Sequence, residues 1–273
     1  MPQHPTHAAT PGTPSVLLYL FPERFIPPEF GTLYGHPLQS RIDVPSFRLA
    51  VDLLTVAIWG MREQGIVSLQ PYAPTRTLTT FRAALEQVRG SLLPFGDHRL
   101  RVATPAGRIQ VTCYPGTNIG VVGAESLEKG LFQVCRAMHG RKDLRLVVRQ
   151  WLAGELQRLT TFAIPPASGW FPPRHSTRQA DHRVLCAVED AAIAQGYLTR
   201  LPVDAQIDQK WHGKSPFWGA FGRLLVTNPD AVQHLSEAVN SFEDRWRRFQ
   251  ADEPQLHSLI REQCGKELER EGG

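Results

Sequence analysis

The chain has 273 residues, of which 42% are hydrophobic and 21% are charged, and its formal net charge is +4 at pH 7. This composition is ordinary for a globular protein with a sizeable core. The mild positive charge permits a phosphate-bearing partner without requiring one, because lysine and arginine form no dense run. The longest apolar run, 49–58, contains Asp52 and is too short for a bilayer, which excludes a transmembrane segment.

Four cysteines lie at positions 113, 135, 186 and 264. None forms a C-x-x-C pair, so their spacing excludes a zinc ribbon and a dense disulfide framework. The first residues carry Pro, His and Thr instead of a basic patch followed by an apolar core, so we expect no secretory signal. These features predict a cytoplasmic protein with reduced thiols, for which peripheral association with a membrane stays open.

The composition along the chain predicts three parts. Residues 1–14 are rich in Pro, Thr and His, which predicts a disordered tail. Residues 15–200 predict a helical core with a β-hairpin, and this core begins with a strand or buried segment at Ser15–Phe21. The prolines between 22 and 45 exclude a regular helix there. Residues 201–273 predict a C-terminal helical extension that packs on the core.

The most informative pattern is a helix that passes directly into a strand. An amphipathic helix begins at Ser46 and carries apolar residues at spacings of three and four, so we expect it to face the core. It ends at Gly65 and continues as a short strand at 66–69, because glycine suits the left-handed conformation that closes a helix. The segment 181–200 repeats this ending around Gly196. Such units are typical of winged-helix-like modules.

Further helices and one hairpin are predicted around these two units. The hairpin covers Arg99–Cys113, where polar and apolar residues alternate on both sides of the turn TPAG. The remaining helices are predicted at 78–88, 126–138, 142–159, 176–195, 229–249 and 255–269. The predicted fold class is therefore mainly α-helical α+β: a helical core with a β-hairpin and short strands, winged-helix-like in its local units.

The order of these parts resembles that of the Golgi phosphoprotein family of phosphoinositide-binding peripheral membrane proteins. In that family a Ser-Pro-x-Gly turn corresponds to TPAG here, and a Trp-containing helix with a Gly-Glu pair corresponds to the segment QWLAGEL. The similarity covers roughly residues 46–200. It implies that arginines at the starts of the first and last helices contact the lipid headgroup. The positions that look similar are Arg48, Arg178 and Arg183.

The arginines near helix starts suit an anion site. Arginine supplies a guanidinium group that can bind two phosphate oxygens, and unpaired backbone N–H groups at a helix start add attraction for anions. In the loop among them, Trp170 could insert into a lipid interface. The alternative is that these arginines solvate helix ends and pair with nearby acids. The candidate binding residues are Arg48, Arg174, Arg178, Arg183 and Trp170.

The preferred function is non-catalytic binding of an anionic headgroup or phosphate-bearing surface by a phosphoinositide-like peripheral membrane adaptor. One alternative is a winged-helix nucleic-acid-binding protein, in which Arg99, Arg101 and Arg108 on the solvent face of the hairpin contact the DNA backbone. Another alternative is a protein–protein scaffold subunit. No catalytic motif or metal-ligand spacing is evident, so the sequence predicts no cofactor and leans against an enzyme.

Overall fold

The computed structural model describes residues 13–26, 46–72, 75–78, 100–103, 107–114, 126–138, 140–161, 179–202 and 217–272. These residues form mostly helices, with short antiparallel strands, which confirms the mainly helical α+β class. The helices are α1 Pro14–Leu20, α2 Pro22–Phe25, α3 Ser46–Glu63, α4 Leu127–Ala137, α5 Leu144–Thr161, α6 Ala180–Ala194, α7 Pro229–Gln233, α8 Ser236–Asp252 and α9 Pro254–Gly272. The strands are β1 Val67–Tyr72, β2 Thr75–Leu78, β3 Leu100–Ala103, β4 Arg108–Cys113, β5 Arg141–Asp143, β6 Leu198–Arg200, β7 Phe217–Trp218 and β8 Leu224–Thr227.

Helix α3 lies at the centre of the described core. Its apolar stripe includes Leu54, Ile58 and Met61, all of which are buried as the spacing predicts. The helix contacts α1, α4, α6 and α9, so it is enclosed on several sides. Even the polar Thr55 on this helix is buried, and its hydroxyl donates to the carbonyl of Val51 at 2.7 Å.

Both predicted helix–glycine–strand units are confirmed. Gly65 has φ +68° and Gly196 has φ +78°, so each glycine adopts the left-handed conformation that closes a helix. The amide of Gly65 donates to the carbonyl of Arg62 and the amide of Ile66 to that of Met61, both at 2.9 Å. This pair of bonds is a Schellman cap, and the same pair closes α6 around Gly196. Strands β1 and β6 then begin at the expected places.

The predicted hairpin at Arg99–Cys113 is wrong in its pairing. Strand β4 pairs antiparallel with β1, from Val67 opposite Cys113 to Tyr72 opposite Arg108, and its other edge pairs with β5. Strand β3 pairs with β2 in a separate ladder, so the two halves of the predicted hairpin have different partners. Alternation identifies a strand correctly but does not name the strand beside it. Of the helix predicted at 78–88, the first residue, Leu78, ends strand β2, and residues 79–88 lie outside the described part.

The N-terminal segment is a helix and not a strand. Every residue of α1 is buried, which agrees with the prediction of a buried segment. A helix that is buried on all sides shows no polar face, so its pattern does not differ from that of a buried strand. Pro14 occupies the first turn of α1, so the core begins within the predicted tail, whose residues 1–12 lie outside the described part. The short helix α2 at Pro22–Phe25 contradicts the expectation that no helix forms after residue 22, because a proline is tolerated at the first position of a helix.

Polar side chains cap two of the described helices near the starts that the sequence predicts for them. The hydroxyl of Ser126 accepts from the amide of Lys129 at 3.0 Å, and the carboxylate of Asp143 accepts from the amide of Arg145 at 2.9 Å. The start predicted for α6 at 176 lies outside the described residues.

The C-terminal part contains one helix more than predicted. The helix expected at 229–249 is divided into α7 and α8, with a break at His234 and Leu235. Helix α9 contacts α3, α5 and α6, so the C-terminal residues pack directly on the core. Among the helices that the structure describes, none combines the length and apolarity needed to cross a bilayer.

Candidate functional site

Arg183 lies inside the core. It is in the first turns of α6 with 1% of its surface exposed. Its guanidinium group donates from Nη1 to the carbonyl of Leu152 in α5 at 2.8 Å, and from Nη2 to the carbonyl of Glu271 in α9 at 3.1 Å. Burial lowers the pKa of this side chain. These bonds account for Arg183 without a ligand, because they tie α6 to two other helices.

The other candidate residues for a headgroup are less fully described. Arg48 lies half-buried in the first turn of α3 and has interaction partners of its own. The remaining three candidates, Arg174, Arg178 and Trp170, lie outside the described residues. Helices α3 and α6, which carry Arg48 and Arg183, do contact each other. The convergence of these residues on one anion therefore stays a prediction.

The arginines predicted for a nucleic-acid wing are divided between two ladders. Arg101 is in β3 opposite Thr77, and Arg99 lies outside the described residues. Arg108 begins β4, and its Nη1 forms a 2.9 Å ion pair with the carboxylate of Asp143 in β5. The hydroxyl of Tyr72 donates to the same carboxylate oxygen at 2.8 Å. Burial and the neighbouring Asp143 carboxylate raise the pKa of Tyr72.

A separate group of arginines lines a cleft between α3 and α8, which we call the arginine cleft. Its volume is about 380 Å³, within the usual range of small-molecule sites. The three arginines reach it from positions that are far apart in the sequence, because Arg62 lies in the last turn of α3 while Arg245 and Arg248 follow one face of α8. The lining residues are Trp59, Arg62, Glu63, Arg245, Arg248, Phe249, Asp252 and Glu253.

The three arginines of the cleft differ in their partners. Arg62 forms a 2.7 Å ion pair with Glu253, the residue that follows α8. The Nε atoms of Arg245 and Arg248 donate to the carbonyls of Ser241 and Asp244, one turn earlier, both at 3.3 Å. Among the described residues, neither of these two guanidinium groups forms an ion pair with a carboxylate. Their terminal amino groups are thus the cations of the cleft best suited to receive an external anion.

Aromatic rings make the floor of the cleft rigid. The Trp59 ring stacks on Phe249 with centroids 5.4 Å apart, and it contacts the edge of Trp246 at 5.1 Å. The guanidinium carbon of Arg62 lies 6.0 Å from the Phe249 ring centre, which positions this cation over an aromatic face. His257 of α9 packs edge-on against Phe249, and burial lowers its pKa to about 4. The rings therefore hold α3, α8 and α9 in a fixed relation beneath the arginines.

The cleft is polar and of mixed charge. Its three arginines face three carboxylates, those of Glu63, Asp252 and Glu253. Such a site favours a compact anionic group that can bind two guanidinium forks at once, and it offers little to a long apolar chain. The sequence does not single it out, because arginines at 245, 247 and 248 beside Glu243 and Asp244 are typical of a solvated helix face. The available signal was the spacing of three residues between Arg245 and Arg248, which places them on the same side of a helix.

Metal and thiol chemistry receive little support from the described residues. In that part of the chain, no group of three or more His, Cys, Asp or Glu side chains is arranged to hold a metal ion. The thiol of Cys135 donates to the sulfur of Cys113, which lowers the pKa of Cys113 and raises that of Cys135. Four free cysteines are present.

Comparisons with known proteins assign no family to this chain. Neither a protein-family model nor a curated protein nor a solved structure matches the chain. The resemblance to the Golgi phosphoprotein family therefore stays a prediction, and the functional argument depends on the residues of the site.

Proposed function

We propose that this protein is a non-catalytic binding protein for an anionic, phosphate-bearing headgroup, and that the arginine cleft is its contact. The observation that supports the proposal is that Arg245 and Arg248 lie on the same side of α8, in the lining of the cleft. Both guanidinium groups line the cleft, and among the described residues their hydrogen bonds go only to main-chain carbonyls, while the Arg245 guanidinium carbon also lies 5.9 Å from the centre of the Phe242 ring. Two neighbouring arginines of this kind match the oxygens of a phosphate group better than a lone surface cation does.

The size and lining of the cleft restrict the class of ligand. A volume of about 380 Å³ accepts a phosphorylated sugar or inositol ring. The polar lining favours a headgroup or a free phosphate ester over an acyl chain. A headgroup bound there could come from a phosphoinositide in a membrane, as the resemblance to the Golgi phosphoprotein family implies, or from a soluble inositol phosphate. Phosphate recognition is common to both sources.

The first experiment measures binding of two probes that separate these sources. Isothermal titration with inositol 1,4-bisphosphate, which is the headgroup of phosphatidylinositol 4-phosphate, reports on the free ester. Co-sedimentation with phosphatidylcholine vesicles, with and without phosphatidylinositol 4-phosphate, reports on the membrane form. Because a charge-assisted hydrogen bond contributes about 1.5–3 kcal/mol, the Arg245→Ala/Arg248→Ala variant is expected to lose about tenfold or more in affinity. Binding to both probes indicates that the ligand is a lipid headgroup in a membrane. Binding to the free ester alone indicates a soluble inositol phosphate.

A matched variant controls for the loss of positive charge. Arg136→Ala/Arg247→Ala removes the same net charge from exposed arginines outside the cleft, one of them on the same helix. Arg247 already pairs with Glu243 at 2.5 Å, so its loss is expected to leave binding almost unchanged. Equal losses in the two double variants would show a general charge effect and contradict the proposal.

Duplex DNA and the absence of binding are the remaining outcomes. Salt-dependent DNA binding that is reduced by Arg99→Ala and Arg101→Ala would replace the headgroup with a nucleic acid. Failure of the wild-type protein to bind the ester, the vesicles or DNA would overturn the proposal in favour of a protein–protein scaffold.

A further inference from the structure

Glu189 of α6 is a carboxylate that joins three distant parts of the chain. Its side chain has no exposure to solvent. Its Oε1 accepts from the hydroxyl of Tyr19 in α1 and from the amide of Ala220, each at 2.7 Å. Ala220 opens the 3-10 turn Ala220–Gly222, which lies between β7 and β8. One oxygen atom therefore holds the N-terminal helix and this turn against α6.

The turn is shaped around this carboxylate. A Cβ atom on Gly219 would lie 2.7 Å from Oε1 of Glu189 and 2.6 Å from Leu225, so a larger residue there would displace the Glu189 carboxylate or the Leu225 side chain. The following Phe221 has φ +54°, a conformation that a non-glycine residue rarely adopts. The amide of Gly219 then donates to the carbonyl of Arg223 at 2.7 Å and closes the turn. This strained turn needs its contact with Glu189 to stay in place.

The negative charge on the second oxygen of the Glu189 carboxylate has few groups nearby that stabilise it. Oε2 of Glu189 is buried and accepts no hydrogen bond within the described residues. The nearest cation, Nη1 of Arg223, is 3.8 Å away and forms a shorter 2.6 Å ion pair with Asp190. A proton on Oε2 would remove the buried negative charge while Oε1 kept both of its donors. The neutral form of Glu189 thus fits this site better than the ionised form.

We propose that Glu189 is a pH-operated clasp, which holds the 219–223 turn closed against α6 when its carboxyl group is protonated and loosens it on ionisation. Burial raises the pKa of Glu189 to about 7, which puts this change close to neutral pH. Opening the turn exposes the carboxyl group to water, where its pKa returns to the ordinary value of 4.5. Opening therefore releases a proton and becomes more favourable as the pH rises.

The charged and titratable neighbours set the position of this change. The Arg223 side chain stabilises the ionised form of Glu189, and the Tyr19 hydroxyl does so to a smaller extent. The carboxylate of Asp190 opposes ionisation, since like charges repel. The thiol of Cys186 also faces this cluster, and Arg158 of α5 pairs with Asp190 at 3.1 Å.

Hydrogen exchange of the amides of 219–223, corrected for the intrinsic effect of pH, tests the clasp. A closed-state pKa of about 7 and an open-state value of 4.5 predict a rise in the opening constant of about 40-fold from pH 5 to pH 7, and of about twofold from pH 7 to pH 8. The variant Glu189→Gln keeps an oxygen for both donors and cannot ionise. We expect it to give a flat profile and stronger protection than wild type at pH 8.

Two further variants test whether the pH dependence of exchange comes from Glu189. Tyr19→Phe removes a donor that stabilises the ionised form, so the profile is expected to shift to higher pH. Glu243→Gln changes a buried carboxylate on α8 and is expected to keep the wild-type profile. A flat profile in the wild-type protein, or an unchanged slope in Glu189→Gln, would overturn the proposal.

Discussion

Arginine has opposite environments in two regions of this protein. Around Arg183 the guanidinium group is enclosed by α5, α6 and α9 and binds carbonyl groups. In the arginine cleft, the Arg62 side chain remains 32% exposed, and Arg245 and Arg248 reach the same opening. The first region uses arginine to join helices. The second leaves guanidinium groups at a surface where an external anion can reach them.

This difference shows that position on a helix is a poor guide to the role of an arginine. Arg183 is near a helix start, where attraction for anions is expected, yet its partners belong to the protein itself. Arg248 is well inside α8, where no such attraction exists, yet it lines the cleft. Burial and partners separate the two roles, and both depend on tertiary packing.

The largest expected effect comes from Arg183→Met, which keeps the length of the side chain and removes its charge. The variant leaves the carbonyls of Leu152 and Glu271 without these donors, so we expect the free energy of unfolding to fall by about 3 kcal/mol. Urea denaturation followed by circular dichroism measures it. Arg248→Ala is the control from the other region, with an expected loss of at most about 0.5 kcal/mol. Similar losses of unfolding free energy in both variants would contradict the distinction between the buried Arg183 region and the arginine cleft.

Glu267→Gln tests a buried carboxylate that serves as the partner of two arginines. The Glu267 side chain is 0% exposed and accepts from Nε of Arg145 at 2.5 Å and of Arg149 at 2.9 Å. We expect the free energy of unfolding to fall by about 2 kcal/mol at neutral pH, because two arginines lose their common partner.

These arginines hold the pKa of Glu267 below its ordinary value of 4.5. Its stabilising contribution is therefore present above pH 4.5 and lost as the pH falls below that value, so the two denaturation profiles should converge in acid. A constant difference at all pH values would contradict this account.

Much of the fold could be predicted because its signals are local. The stripe on α3 and the glycines at 65 and 196 act within one or two turns of helix, and the structure has both units where the sequence places them. The partners of β3 and β4 could not be predicted, since strand pairing depends on residues distant in sequence. Helix α1 was also ambiguous, because it has no polar face.

The sequence predicts an anionic ligand, which stays a prediction, and it does not locate the arginine cleft. The mild positive charge permits an anionic partner without requiring one, and the cleft offers guanidinium groups for it. Its members belong to α3 and α8, which are about 180 residues apart in the sequence. The rings of Trp59 and Phe249 bring them together, and no local pattern predicts that contact. Glu189 was missed for the same reason, since its partners come from α1 and the 3-10 turn.

His257→Phe tests how firmly the aromatic floor supports the cleft. Burial and the nearby Arg261 cation lower the pKa of His257 from 6.5 to about 4, so the ring is neutral in the folded protein. The stability that this provides is present above pH 6.5 and is lost as the pH falls toward 4. A shift of this size corresponds to about 3 kcal/mol, and partial exposure of the ring reduces the expected effect to about 1 kcal/mol. The phenylalanine variant should lose this part of the pH dependence while keeping the ring contacts. An unchanged profile would show that the pKa of His257 is the same in the folded and unfolded chains, which would contradict this account.

The smallest effect is expected for the ion pair at the edge of the cleft. Arg62 and Glu253 are 32% and 41% exposed, so a double-mutant cycle with Arg62→Ala and Glu253→Ala should give a coupling energy of at most about 0.5 kcal/mol. A weak pair is what the proposed site requires, because an incoming phosphate must be able to compete with the Glu253 carboxylate for the Arg62 guanidinium group. Urea denaturation of the four proteins measures the coupling. A value above about 2 kcal/mol would place Arg62 with Arg183 as an arginine that joins helices, and would leave Arg245 and Arg248 as the cations that the cleft offers to a ligand.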